Sequence, residues 1–265
     1  MDVRPWDKPQ LLNQKPIPND SSHATSFPVG LNWCDIDRGG NISITANVTG
    51  NSRETTAHLN ASGDTILYSA GSTWLNVCKN DRDFQFGTFS TVGHEKSSPS
   101  WSIPVTFDKS FGSVPKVVVW FQEFEFDKAH NWRLQASAEN ITATGFTLKL
   151  STWGDSKLYK AGVTWIAHPS NRSNITSGTF DTREFRPWSA PKLDNKKSIT
   201  FDKKFDTAPR CYVGLNLFDI DFHQNFRLKA LAKDITPQGM TLHLDSWYDT
   251  THYASRADYI AIQDY

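Results

Sequence analysis

The chain has 265 residues, 28 basic and 28 acidic, so its formal net charge is zero. That balance, without any basic block, excludes an electrostatic nucleic-acid footprint. No apolar run approaches the about 20 residues that span a bilayer, which excludes an inserted helix. The length suits one large domain or two to three small ones. Cys34, Cys78 and Cys211 are widely spaced without a CxxC pattern, so buried or free thiols are expected rather than a disulfide scaffold or a thiolate zinc site. The start, "MDVRPWDKPQ", is polar and does not read as a signal peptide. Sequons at Asn19, Asn41, Asn47, Asn60, Asn140, Asn171 and Asn174 lean toward a secreted protein. Localisation stays open between extracellular and cytoplasmic.

Aromatics are abundant, with 10 Trp and 17 Phe against 2 Met. No stretch shows helical spacing. Alternating runs such as "VTFDKSF", "FTLKLST", "RLKALAK" and "TLHLDS" are broken every ten residues or so by Gly, Pro, Asn or Asp, the pattern of an all-β sandwich or barrel. In chain order, "VRPW" (3–6) comes first, then "VGLNWCDID" (29–37) and "AHLNASGDTILYSAGSTWL" (57–75). Next come Gly87-Thr88-Phe89, Phe107-Asp108, a long aromatic strand after Pro115, and residues 131–167. Gly178-Thr179-Phe180, "FRPW" (185–188), Phe201-Asp202, a strand after Pro209 and residues 225–261 repeat the order.

The last two sets superpose without a gap over 131–167 and 225–261, an offset of 225 − 131 = 94. "VGLNWCDID" matches "VGLNLFDID" (213–221), and 57–75 matches 242–260, so the opening segment is a third copy, read as starting too late to contain the Gly-Thr-Phe strand. Three domains are expected, 1–80, 81–170 and 171–265, each a six-stranded antiparallel sandwich. Within a copy, a short edge strand carries Gly-x-x-[Ser/Asp], a middle strand opens on Asn-x-Arg, and "ITATG" or "ITPQG" forms a turn in which Gly supplies a positive φ. A Trp-loop-Tyr segment follows, then a closing strand at Trp165 or Tyr259.

The two later copies resemble the H-type lectin domain, the family of snail agglutinins and of the C-terminal domain of discoidins. The resemblance rests on Ser177, Gly178, Asp181, Asn225, Arg227, Gly239, Trp247 and Tyr253, and on Gly87, Asn131, Arg133, Gly145, Trp153, Tyr159 and Trp165. It implies small β-sandwiches that bind N-acetylgalactosamine or galactose-type sugars without a cofactor or metal, and domains that gather in threes. One chain with three copies would then be a monomer forming an internal pseudo-trimer. The sugar-contacting set it implies is Gly178, Asp181, Arg227, Trp247, Tyr248 and Tyr253 in the third copy, and Gly87, Arg133, Trp153, Gly154 and Tyr159 in the second, where Ser90 replaces the Asp. The first copy is degenerate. Ser43 falls at the Arg position and Ser62 at the Trp position, while Asp64 and Tyr68 persist.

These residue types suit a sugar. Carboxylates accept from hydroxyls, a guanidinium donates through a planar fork, and an aromatic ring covers the apolar C–H face. Each has a structural reading as well. Trp153 and Trp247 serve equally as core aromatics, the glycines as points of close backbone approach, and Arg133 and Arg227 as partners of Asp127 and Asp221. Asp155 and Asp249 read as caps of their own loop. Joint loss of Arg and Trp from the first copy, which keeps its strand pattern, favours function. A split site is the further expectation, with Gly, Asp and Arg from one domain and Trp and Tyr from the next, so that Asp181 and Arg227 face Trp153 and Tyr159, or Arg133 faces Trp247 and Tyr253. Glu123, Glu125 and Asp127 as a glycosidase pair, and His223, His243 and His252 as a metal cluster, fail for want of counterparts between copies. A glycan-binding lectin that is not an enzyme leads. A structural or adhesive sandwich array acting through protein contacts, and a binding module cut from a larger enzyme, are the alternatives.

Overall fold

A computed structural model describes residues 12–18, 24–50, 54–78, 81, 83–93 and 99–263, and "VRPW" lies outside them. The first segment holds β1 (Leu12–Pro18), β2 (Ala24–Ser26), β3 (Val29–Ile36), β4 (Ile42–Gly50), β5 (Glu54–Ala61), β6 (Leu67–Trp74) and β7 (Val77–Cys78). The second holds β8 (Gln85–Ser90), β9 (Ser100–Thr106), β10 (Lys116–Phe126), β11 (Trp132–Glu139), β12 (Gly145–Ser151) and β13 (Leu158–His168). The third holds β14 (Ile175–Asp181), β15 (Lys196–Thr200), β16 (Arg210–Ile220), β17 (Phe226–Thr236), β18 (Gly239–Asp245) and β19 (His252–Ile262). Among the described residues the only helical element is one 3-10 turn, Thr182–Glu184.

The protein is all-β, as its alternation dictates. On β12 Phe146, Leu148 and Leu150 are buried while the intervening residues face outward, and on β18 Met240, Leu242 and Leu244 do the same. The turn glycines act differently from expectation. Gly145 and Gly239 do not take positive φ; that conformation falls on Asn140 (φ 52°) and Asp234 (φ 50°). A Cβ on Gly145 would lie 2.2 Å from the Val105 carbonyl oxygen, and one on Gly239 2.1 Å from that of Ile199. Close passage of the neighbouring strand is what requires glycine there.

Each of the later segments forms the expected two-layered sandwich, in the second β8, β13 and β10 packed on β11, β12 and β9 through contacts such as Phe146 with Trp165, and its sheets continue past the segment boundary. One sheet has the order β1-β5-β4-β10-β13-β8, a second β14-β19-β16-β11-β12-β9, and a third β15-β18-β17-β3-β6. Each joins half of one segment to half of another, through antiparallel pairs β4–β10, β11–β16 and β17–β3. The first segment thus joins the second, the second the third, and the third the first. The Asn before each middle strand ties these seams. Asn41 Oδ1 accepts from Lys128 N at 3.1 Å, Asn131 Oδ1 from Phe222 N at 3.2 Å, and Asn225 Oδ1 from Arg38 N at 3.1 Å.

The hydrophobic core runs through all three segments, with the rings of Phe124 and Phe218 meeting edge to face at 5.1 Å, and those of Phe218 and Phe226 at 5.0 Å. Beside it, three equivalent positions meet: Gly30, Trp120 and Gly214. A Cβ on Gly30 would lie 2.4 Å from Trp120 Cβ, and one on Gly214 2.3 Å from Trp120 Cγ. The indole is wholly buried and donates through Nε1 to the Asp258 carbonyl at 3.1 Å. Cys34 and Cys211 are free thiols, both pushed up by burial, Cys211 to about 12.

Trp120→Ala should therefore lower unfolding free energy by about 3–5 kcal/mol by opening a cavity. Gly214→Leu, a change in the opposite direction, should also destabilise, because its side chain enters space the indole already fills. Urea titrations check both; a neutral Gly214→Leu would contradict the packing.

Candidate functional site

The middle strands bring each Arg position opposite an acid of another segment. Register pairs Arg133 with Asp219 across β11–β16, Arg227 with Asp35 across β17–β3, and Ser43 with Glu125 across β4–β10. Arg133 Nε donates to Asp219 Oδ1 at 3.1 Å, and its Nη1 to Asp155. Arg227 Nε lies 3.4 Å from Asp35 Oδ1, and its Nη1 donates to Asp249 Oδ1 at 2.6 Å. Asp155 and Asp249 thus pair with the arginines, and Asp155 also accepts from its own backbone, as a loop cap does. Burial raises the carboxyl pKa of Asp219 and of Asp35, and the facing guanidinium opposes the rise. The hydrogen bond from Arg133 lowers that of Asp155.

The expected partners Asp127 and Asp221 do something else, because they stand just beyond the strand ends. Asp127 Oδ2 accepts from the Tyr159 hydroxyl and Asp221 Oδ2 from that of Tyr253, each at 3.0 Å, and Asp37 Oδ2 accepts from Tyr68 at 2.9 Å. This Tyr–Asp bond occurs in all three segments, including the degenerate one, so it belongs to the fold. The two glycines lie against aromatic rings of the closing strands. A Cβ on Gly87 would lie 2.7 Å from the Trp165 ring, and one on Gly178 2.8 Å from the Tyr259 hydroxyl.

The split differs from both expected versions. Arg and the Trp loop come from one segment, and the Tyr, with the Gly-Asp strand, from the next. At the seam of the second and third segments stand Arg133, Trp153 and Gly154, facing Asp219, Asp181 and Tyr253. A recess of about 300 Å³ opens there, with Gln135, Ser151 and Trp153 on one side and Arg183, Trp188, Leu217, Asp219 and Ala254 on the other. Its size lies at the lower end of small-ligand pockets. Asp181 does not offer free acceptor oxygens. It receives Arg183 N at 2.9 Å, and Arg183 Nε and Nη2 at 3.0 and 2.6 Å. In the second segment, Ser90 donates to Glu123 Oε1 at 2.7 Å.

At the seam of the third and first segments stand Arg227, Trp247 and Tyr248, with Asp35 and Trp33. The Trp33 and Trp247 rings meet edge to face at 6.3 Å, and Lys229 Nζ sits 4.0 Å above Trp33. Tyr248 takes φ 64° and is 82 % exposed, and the Arg227 guanidinium lies 5.3 Å from its ring. At the seam of the first and second segments, Ser43 Oγ bonds Ser62 Oγ at 2.7 Å, and neither Arg nor Trp is present. Tyr159 lies on this side, so it does not join Arg133 and Trp153, just as Tyr253 does not join Arg227 and Trp247.

Sequence reasoning missed Arg183, Arg186, Trp188, Asp219 and Asp35. Arg186 is buried and holds the loop between β14 and β15 through the carbonyls of Tyr253 (2.6 Å) and His252 (3.1 Å) and Asn195 Oδ1 (2.7 Å). That loop carries Trp188, 65 % exposed, to within 6.2 Å of the Tyr253 ring. "FRPW" was the available signal. A larger cavity, about 830 Å³, lies around residues 81, 83–86, 108–113, 169, 171 and 172; its Arg172 is paired with Asp83. His223, His243 and His252 do not cluster. His223 bonds Asp221, and His252 is buried on Ser255. Among the described residues one His-containing acidic group, Asp194, His243 and Asp245, brings ligand atoms within 4.8 Å. His243 Nδ1 and Asp245 Oδ2, 3.1 Å apart, make an ordinary hydrogen bond.

The H-type lectin domain family model matches residues 102–168 and 196–262. A protein described as ATP synthase subunits region ORF 7, from Fuscovulum blasticum, is 34% identical over 74 residues, 28% of this chain and 64% of that one. A discoidin-1 polypeptide of Dictyostelium discoideum is 33% identical over 66 residues, 24% of this chain and 26% of that one. The matches thus span less than two thirds of either relative. Two solved structures of discoidin II from Dictyostelium discoideum align with 57% and 59% of this chain, and 76% and 93% of theirs, at 20% and 18% identity. Their TM-scores are 0.30 and 0.28.

Burial lowers the imidazole of His168 to about 4 and that of His252 to about 3. Below the ordinary histidine value of about 6.5 the unfolded chain takes up protons that the folded one refuses, so stability should fall as pH drops from about 6.5 toward 4. Urea midpoints across that window measure it, and His168→Gln with His252→Gln should flatten the slope.

Proposed function

Because the chain belongs to the H-type lectin domain family, we propose that it binds galactose-type sugars, terminal N-acetylgalactosamine or galactose, in the recess between the second and third segments. The observation that supports this best is the conjunction there of a cross-seam ion pair, Arg133 with Asp219, and two aromatic walls, Trp153 and Trp188. A pyranose seated in the recess lays its C–H face on an indole. Its hydroxyls take donors from Arg133, Arg183 and Gln135 and acceptors on Asp219 and Ser151. The ion pairs hold those groups in place before the sugar arrives, which limits the ordering cost of binding.

On this reading the chain is three lectin-type repeats, divided near residues 80 and 170, acting as one compact monomer. Sedimentation should show a single chain of compact shape. The recess uses no metal and carries no catalytic pair; its role is recognition of glycoconjugates.

A glycan array tests the specificity: binding confined to terminal galactose or N-acetylgalactosamine is the expected result, and silence on every glycan favours an adhesive array acting through protein contacts. In titration, Trp153→Ala should weaken binding by at least about thirtyfold, the scale of a buried aromatic anchor worth about 2 kcal/mol. It should leave the melt near that of the unaltered chain, since Trp153 is only partly buried.

A further inference from the structure

The seam of the third and first segments is built differently from the recess, at the same strand positions. Trp33 stands where the recess has Leu217, Lys229 where it has Gln135, and Tyr248 where it has Gly154. The Trp33 indole and Lys229 above it occupy the floor. What is presented to solvent is the ring of Tyr248. Its backbone position is left-handed in all three segments: φ is 63° at Gly63, 66° at Gly154 and 64° at Tyr248. Glycine takes that conformation freely, and a bulky aromatic residue does so only at a cost. A residue that is both strained and 82 % exposed contributes nothing to the core, and such strain gathers where a ligand is held.

Charge separates the two seams further. Arg227 is bound by Asp35 and Asp249. Asp245, opposite Lys229 in the ladder, accepts from Asn195 N at 2.9 Å and bonds His243. Lys229 has only the Trp33 ring, and among the described residues it forms no ion pair with a carboxylate. We propose that this seam is a second glycan-binding face, an open platform on which an acidic pyranose, a uronate or a sulfated sugar, stacks its ring on Tyr248 and places its anionic group on Lys229. The inference rests on the lectin reading and adds a second, unlike specificity to it. The recess seats a neutral sugar between walls; the platform takes a charged one on a single ring, so its affinity falls with added salt while that of the recess does not.

The test uses the full chain and two probes, methyl galactoside and methyl galacturonate. With Trp153→Ala removing the aromatic wall of the recess, galacturonate should still bind, at least tenfold better than the neutral galactoside. Adding Tyr248→Gly should remove that binding while leaving the melting temperature unchanged or raised, because glycine relaxes the backbone. Adding Lys229→Gln instead should reduce the preference to within about twofold. The proposal is overturned if Trp153→Ala alone abolishes galacturonate binding, or if Tyr248→Gly leaves it intact. Should the unaltered chain bind neither probe, the lectin reading falls with it; should it bind only the neutral one, the recess stands and the platform does not.

Discussion

The contact on which the rest depends is one indole between two glycines. Gly30, Trp120 and Gly214 hold equivalent places in three copies of one motif, yet there is room for a single large side chain where they meet. Three tryptophans would collide, and three glycines would leave a void at the centre of a close-packed interior. The Trp occurs once, in the middle copy, and its indole N–H is satisfied by Asp258 of the third. That asymmetry makes the segments non-interchangeable. A symmetric assembly of identical chains solves such a meeting point with identical residues; this chain solves it with a ratio of one to two, which needs copies that differ in sequence.

From that centre the seams follow. Strands pair across them, Asn41, Asn131 and Asn225 each bond the turn of the neighbouring segment, and the next residue but one then faces an acid of another segment. The candidate sites are therefore products of packing between segments. Substitutions at two strand positions, Leu217 against Trp33 and Gln135 against Lys229, change what lines the two seams while the strand pairing beneath stays the same. Rigid strands with variable outward residues are the arrangement in which binding chemistry diverges at least cost to the fold.

Much of this was legible in the sequence. Alternation gave the strand faces, and the repeat gave the equivalences that make Arg133 and Arg227 stand out, since Ser43 lacks their chemistry. Their partners were not legible. Asp219 is 86 residues from Arg133, and only cross-strand register selects it over the nearer Asp127. Tyr159 and Tyr253 looked like companions of Trp153 and Trp247 because they follow them by six positions. The chain, however, crosses to the opposite seam within that loop. Arg183, Arg186 and Trp188 lie in a longer connection than the second copy has between its corresponding strands, so only the likeness of "VRPW" to "FRPW" marked that connection, and nothing in it named the partners.

Sharing sheets across seams has a consequence for how the chain is made. The last seam to become available joins Arg38 to Asn225, 187 residues apart, and until the third segment has emerged β3 has no partner on that side. A nascent chain must carry that unpaired strand edge through most of its synthesis, and pairings so distant close slowly. The same holds for any fragment: a single repeat expressed by itself has raw edges where β4, β10, β11, β16, β17 or β3 should meet a neighbour. Such fragments expose those edges for pairing with one another, so single repeats of this protein are expected to self-associate.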